Sequence, residues 1–214
     1  MRELLRSLPV FVGLPADLDV ASLPSKPTVL FERWLREAID EGVPEPHAMT
    51  LSTCDAGGVP DARILILKDV DEQGWWFATS RVSAKGSQLD EHPAAALTFY
   101  WPLQARQVRI RGPVVTGPPE RSAADFLARG SSARAIALTG KESQPLADRA
   151  TCLSAVQVSQ ARLVAEPDLV STSWQVYAVD ANVVEFWQGD KDRMHTRVQY
   201  TRDGREWSHH LLWP

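Results

Sequence analysis

The sequence holds two cysteines in 214 residues, Cys54 and Cys152, and they form no metal-ligand spacing. That scarcity excludes a disulfide framework and argues against zinc, and it fits a reducing compartment. Long apolar runs are missing as well. No segment approaches a membrane-spanning length, and the start MRELLRSLPVFVGLPADLD has too short an apolar stretch for a secretory signal. A cytoplasmic location without a membrane partner is therefore expected. Excess positive charge is also lacking: the formal net charge is -4, which gives no general attraction for nucleic acid, so the basic residues matter by position. What is there is an ordinary globular composition, 44% hydrophobic and 23% charged, in a chain long enough to bury one core.

Residues 1–27 carry Pro9, Pro15, Pro24 and Pro27 without a sustained period and read as an N-terminal arm to one domain, 28–214. From Thr28, the residues Leu30, Phe31, Trp34, Leu35, Ala38 and Ile39 make an apolar stripe at helical spacing, and Gly42 is a fitting stop. The period then changes to two. Residues 49–54 and 62–68 read as a hairpin around Gly57-Gly58, the second strand apolar on both faces and so expected to be central. Further strands are expected at 75–80, 94–100 and 104–115, at 174–179 paired with 183–187, and at 196–202 and 207–212 around Asp203-Gly204. Helices are expected to start at Ser83 and to cover 121–129, 131–138 and 146–165. Strands at hairpin spacing with a few helices between them predict an antiparallel barrel of α+β class.

The densest chemistry lies in residues 185–197, EFWQGDKDRMHTR. Trp187 offers a flat apolar face, Arg193 and Arg197 offer forks of donors, and His195 can exchange protons near neutral pH. By itself this admits two readings: a turn that holds a planar anionic guest, or a hairpin whose Trp fills the core while its charges are solvated. Arg63 and Lys68 flank an apolar strand, where cations ask for an anionic partner or sit solvated at the strand ends. Five residues apart, they should serve different groups unless the strand bends. Ser83-Ala84-Lys85-Gly86 opens a helix, whose free amides and partial positive charge join the Lys85 charge. Gln107, Arg109 and Arg111 share one strand face, opposite Val108 and Ile110.

Together these residues resemble the pyridoxamine 5'-phosphate oxidase family of FMN-dependent split-barrel oxidases. EFWQG followed by RMHTR is similar to the family's C-terminal signature, and Arg63, Lys68 and the run Arg106-Gln107-Val108 match other motifs, from about Trp34 to Pro214. The resemblance implies an FMN-binding split β-barrel with flanking helices and a homodimer with FMN at its interface. It implies that Arg63, Ile64, Leu67, Lys68, Thr79, Lys85, Gln107, Ser143, Trp187 and Arg197 bind the cofactor. Lys68, Arg129, Arg193 and His195 would face the substrate, with His195 and Arg193 in catalytic positions. Four departures stand out. Ala84 replaces an Arg of the FMN phosphate grip, Asp125 and Ala133 replace a Tyr and a Ser of the substrate-phosphate cradle, and the arm lacks the family's Arg and Tyr pair. The last three fall on the substrate side. The Ser-x-Lys-Gly turn resembles the phenazine-biosynthesis branch, so the expected reaction is hydride transfer from a reduced N-heterocycle or amine to FMN, with O2 as acceptor. A phenazine-type dihydro-aromatic carboxylate is favoured over pyridoxine phosphate. The alternatives are a genuine pyridoxine/pyridoxamine 5'-phosphate oxidase and a non-catalytic flavin- or haem-binding split-barrel protein.

Overall fold

Stretches in which apolar and polar side chains alternate run as strands, and among the described residues these strands join one ten-stranded sheet. The computed structural model describes residues 1–11 and 18–214. Pro15 of the arm lies outside the described residues. In chain order the elements are α1 (Arg2–Ser7), α2 (Pro27–Asp40), β1 (Ala48–Cys54), β2 (Pro60–Ile66), β3 (Asp69–Asp71) and β4 (Gly74–Ser80). Then come α3 (Ala84–Glu91), β5 (Ala94–Trp101), β6 (Arg106–Thr116), α4 (Pro119–Leu127), α5 (Ser131–Ala137) and α6 (Arg149–Ala165). The chain closes with β7 (Trp174–Val179), β8 (Val183–Gln188), β9 (Thr196–Asp203) and β10 (Glu206–Leu212).

The predicted helical stripe is α2, which sends Leu30, Phe31, Trp34 and Ala38 into the core while Ile39 stays exposed. Phe31 meets Phe99 and Trp34 meets Phe186 edge to face, at 4.9 and 5.2 Å between ring centres. The sheet runs β10-β9-β8-β6-β5-β1-β2, with β7 bridging β6 to β4 and the short β3 beside β4. It is a curled antiparallel split barrel with helices at its flanks: the antiparallel α+β barrel predicted by hairpin spacing, in the split form that the family resemblance implies.

Two expectations about the strands are corrected. β7 and β8 do not pair with each other: both are antiparallel to β6, so they run the same way along one of its edges. Residues 180–182 between them kink the chain without reversing it, with the Asp180 and Asn182 amides bonded to the Pro113 and Arg111 carbonyls. Gly112 permits the crossing, since a Cβ there would lie 2.3 Å from the Asp180 carbonyl oxygen. β2, in turn, is an edge strand in one chain, paired with β1 alone, and Ile64 is 64% exposed.

Register separates the two faces. Leu51, Leu97, Ile110, Val184 and Tyr200 lie side by side on the core face. Tyr100, Gln107, Trp187 and Arg197 form a row on the opposite one. Among the described residues no helix is long and apolar enough to cross a membrane.

Candidate active site

The residues expected to hold a ligand gather in three places. The first surrounds the start of α3. Ser83 caps this helix, accepting from the Gly86 amide at 3.3 Å and from Lys85 Nζ at 3.2 Å while its hydroxyl donates to the Ser80 carbonyl. Thr79 Oγ1 lies 3.5 Å from the Ser83 hydroxyl, and Ser143 Oγ accepts from the Ala84 amide at 3.1 Å. Gly86 seats the helix against the preceding turn, because a Cβ would come within 2.4 Å of the Arg81 carbonyl oxygen. Arg63 approaches from β2, donating to Thr53 Oγ1 at 2.6 Å, to Gln88 Oε1 at 3.2 Å and to Asp61. Burial pushes the Lys85 ammonium below the ordinary lysine range and the Arg63 charge adds to that push, with Glu142 and Asp61 opposing it. Two cations crowded beside a helix N-terminus, one of them paired with Asp61, make a positive potential of the kind that attracts an anion.

The second place is the face carrying Gln107, Trp187 and Arg197, which sit in register across β6, β8 and β9. Glu185, buried on the same face, accepts from Arg109 at 2.6 Å and from Arg197 Nε at 3.0 Å, which fixes both guanidinium groups. Arg197 also donates to the Trp213 carbonyl at 2.9 Å. The turn after β8 is built by Asp190, whose Oδ1 accepts from the amides of Asp192 and Met194 and whose own amide donates to His195 Nδ1 at 3.0 Å. That bond occupies Nδ1 as an acceptor and leaves the proton of a neutral His195 on Nε2. Arg193 adopts φ 66 within this turn. Phe11 of the arm covers it, 5.7 Å from the Trp187 ring, 5.4 Å from the His195 ring and 5.6 Å from the Arg193 guanidinium carbon.

The third place holds Lys68 and Arg129. Lys68 lies past the end of β2 and pairs with Asp125 of α4 at 3.2 Å, so the alternation of a single straight strand does not relate it to Arg63. Arg129 lies over the Trp174 ring at 4.0 Å. Of the other expected cofactor contacts, Ile64 points outward from the edge strand, and Leu67 is a core side chain whose amide is taken by the His47 carbonyl.

One chain does not bring all three together. Arg63 has the core-face parity of Leu51, whereas Trp187 lies on the opposite face four strands away, about 19 Å along the sheet at the usual strand spacing. Sequence reasoning passed over Thr53, Gln88, Glu185, Asp190, Trp174 and Phe11. Glu185 carried a usable signal: a carboxylate within an otherwise apolar strand requires cationic neighbours.

Residues 35–165 match the family described as Pyridoxamine 5'-phosphate oxidase, and residues 174–214 match the Pyridoxine 5'-phosphate oxidase C-terminal dimerisation region. The chain belongs to the pyridoxamine 5'-phosphate oxidase family. A pyridoxine/pyridoxamine 5'-phosphate oxidase of Pseudomonas fluorescens is 40% identical over 200 residues, covering 92% of this chain and 93% of the relative. That of Paraburkholderia phymatum is 40% identical over 187 residues, covering 87% and 88%. Among solved structures, the chain is similar to PhzG from Burkholderia lata 383 in complex with tetrahydrophenazine-1-carboxylic acid: TM-score 0.88, 28% identity, 94% of this chain and 100% of that one. It shares the fold of a pyridoxamine 5'-phosphate oxidase-related, FMN binding protein from Nostoc punctiforme, with TM-score 0.69 and 20% identity over 90% of this chain and 99% of that one. This is a family of oxidases, and the C-terminal strands β7 to β10 fall in its dimerisation region.

Proposed function

We propose that the chain is an FMN-dependent oxidase, working as a homodimer, that oxidises a reduced N-heterocycle bearing a carboxylate. The observation that carries the reading is the cradle at the start of α3, where the Arg63 charge acts on a desolvated Lys85 beside the Ser143 and Thr79 hydroxyls. Its donors fit a phosphate monoester, and the register-matched row Gln107, Trp187 and Arg197 fits the edge and face of a planar ring system. The two sets lie on opposite faces of one sheet, so a ligand touching both takes one set from each of two chains. The division into an arm, 1–27, and an oxidase domain, 28–214, belongs to the same reading, with O2 as the final acceptor.

When bound, FMN supplies a hydride acceptor that oxygen can reoxidise. The chain's own residues do the rest. Arg63 and Lys85 neutralise the phosphate, and Glu185 holds Arg197 so that its charge is in place before any ligand arrives. His195, with Nδ1 committed to the Asp190 amide, presents Nε2–H to the substrate and orients it as a donor. Arg193 adds a cation from the same turn, and Lys68 and Arg129 face the far end of the substrate.

The relatives at 40% identity favour a second reading, a pyridoxine/pyridoxamine 5'-phosphate oxidase. The likeness to PhzG, whose complex holds a tricyclic carboxylic acid, favours the first. The deciding experiment is the visible spectrum of the purified protein, recorded anaerobically before and after adding pyridoxine 5'-phosphate. Flavin bands that persist, and then bleach with a dihydrophenazine carboxylate, are the expected result. Bleaching by pyridoxine 5'-phosphate establishes the second reading, and a colourless protein that takes up no added FMN defeats both.

A further inference from the structure

The corner formed by β2's exit, α4 and β7 has an unusual charge arrangement. Both carboxylate oxygens of Asp125 are engaged: Oδ1 faces Lys68 Nζ at 3.2 Å, and Oδ2 accepts from Trp174 Nε1 at 2.9 Å. The Asp125 side chain is only 16% exposed, so solvent screens it weakly. Arg129 covers the face of the same Trp174 ring. Its Nε is buried without a hydrogen-bond partner, and among the described residues it forms no ion pair. The neighbouring cations are already spent. Arg121 pairs with Asp69 and Asp71, and Arg134 donates to the carbonyls of Pro167 and Leu169. Ala133 brings no donor.

The corner therefore holds two positive charges and one fixed negative charge, a balance of one. We propose that Asp125 sets the charge of the substrate's anionic group, making this corner a receptor for a monoanionic carboxylate and a poor one for a phosphate dianion. A carboxylate satisfies Arg129 and shares Lys68 without disturbing the Asp125–Lys68 pair. A dianion brings a second charge that only Lys68 can meet, and meeting it weakens the pair that holds the mostly buried Asp125, leaving Arg129 as the remaining cation acting on it while a like charge comes near. Trp174 makes the arrangement rigid, since it anchors Asp125 through its ring nitrogen and supports Arg129 on its face. The inference rests on the reading that Lys68 and Arg129 face the substrate.

The test titrates two aryl anions, benzoate and phenyl phosphate, into the holoprotein at a pH where the phosphate is doubly charged, with binding followed by calorimetry. Asp125→Asn is the informative variant, because its amide oxygen still accepts from Trp174 while the charge is removed; Asp125→Ser replaces it should that variant not fold. The wild type is expected to bind benzoate about tenfold more tightly than phenyl phosphate, and the variant to bind phenyl phosphate about tenfold more tightly than the wild type does, with benzoate affinity little changed. Equal phenyl phosphate affinity in wild type and variants overturns the proposal, as does failure of both probes to bind. The titration is independent of turnover: a protein with no oxidase activity but with this switch keeps the charge assignment and loses the proposed reaction. A flavin oxidase without the switch does the reverse.

Discussion

Tyr177 stacks on Phe77 at 5.5 Å, and its hydroxyl is buried with no hydrogen-bond partner among the described residues. Burial, helped by the Asp90 charge and opposed by Arg81, pushes its pKa up to about 12. An unfolded tyrosine loses its proton near 10, so between about pH 10 and about pH 12 the folded chain binds more protons than the unfolded one, and stability falls as pH rises. The stabilising difference is fully present below the unfolded value and disappears through the folded one. Tyr177→Phe should flatten this alkaline decline in the thermal midpoint; an unchanged slope would place the cause elsewhere. Near neutral pH the variant is expected to match or exceed the wild type by up to about 1 kcal/mol, since no hydrogen bond is lost. Tyr200 is raised by burial too, but its hydroxyl donates to the Pro24 carbonyl and ties the arm to the barrel, so Phe there is expected to cost stability.

At the scale of elements, the turn between β8 and β9 depends on one carboxylate. Asp190 Oδ1 gathers two amides, and the Asp190 amide fixes the His195 ring. Asp190→Ala should lower kcat by about tenfold or more while leaving flavin content intact, and Asp190→Asn, which keeps an oxygen acceptor, should restore most of it. Equal losses in the two variants would mean that charge, not turn geometry, is what matters. This turn shows what was legible beforehand. His195, Arg193 and Trp187 are recognisable by type and spacing, but the bond from the Asp190 amide to Nδ1 is a matter of backbone direction that no residue letter carries. The strands were legible from their period of two, and α2 from its stripe. The partners of the strands were not, because the three residues 180–182 look like a hairpin loop whether the chain reverses or only kinks. Similarly, Thr53 and Gln88 read as ordinary polar positions until β1 and α3 place them beside Arg63.

Across the whole molecule, the apolar character of β2 on both faces suggested a central strand, yet one chain leaves it at an edge with Ile64 exposed. A second copy lying against this face would cover Ile64 and reconcile the two, and the proposed shared site would take Trp187 and Arg197 from one chain and Arg63 and Lys85 from the other. Complementation tests this directly. Arg63→Ala and Arg197→Ala homodimers should each bind flavin poorly, while co-expressed chains should recover about a quarter of the sites, because half of randomly formed dimers are mixed and each mixed dimer keeps one intact site. No recovery would place both residues in the same half-site. The opposite-face arrangement also has a kinetic consequence. In the proposed dimer a solitary chain would own two halves of different sites and no complete one, so activity at low expression should grow with the square of chain concentration until dimers saturate. Under the proposed sharing, free FMN would bind the assembled form alone and should shift that threshold by mass action. The cofactor would then act as the mortar of the proposed assembly, and dilution into flavin-free buffer should abolish activity by separating the chains before any of them unfolds.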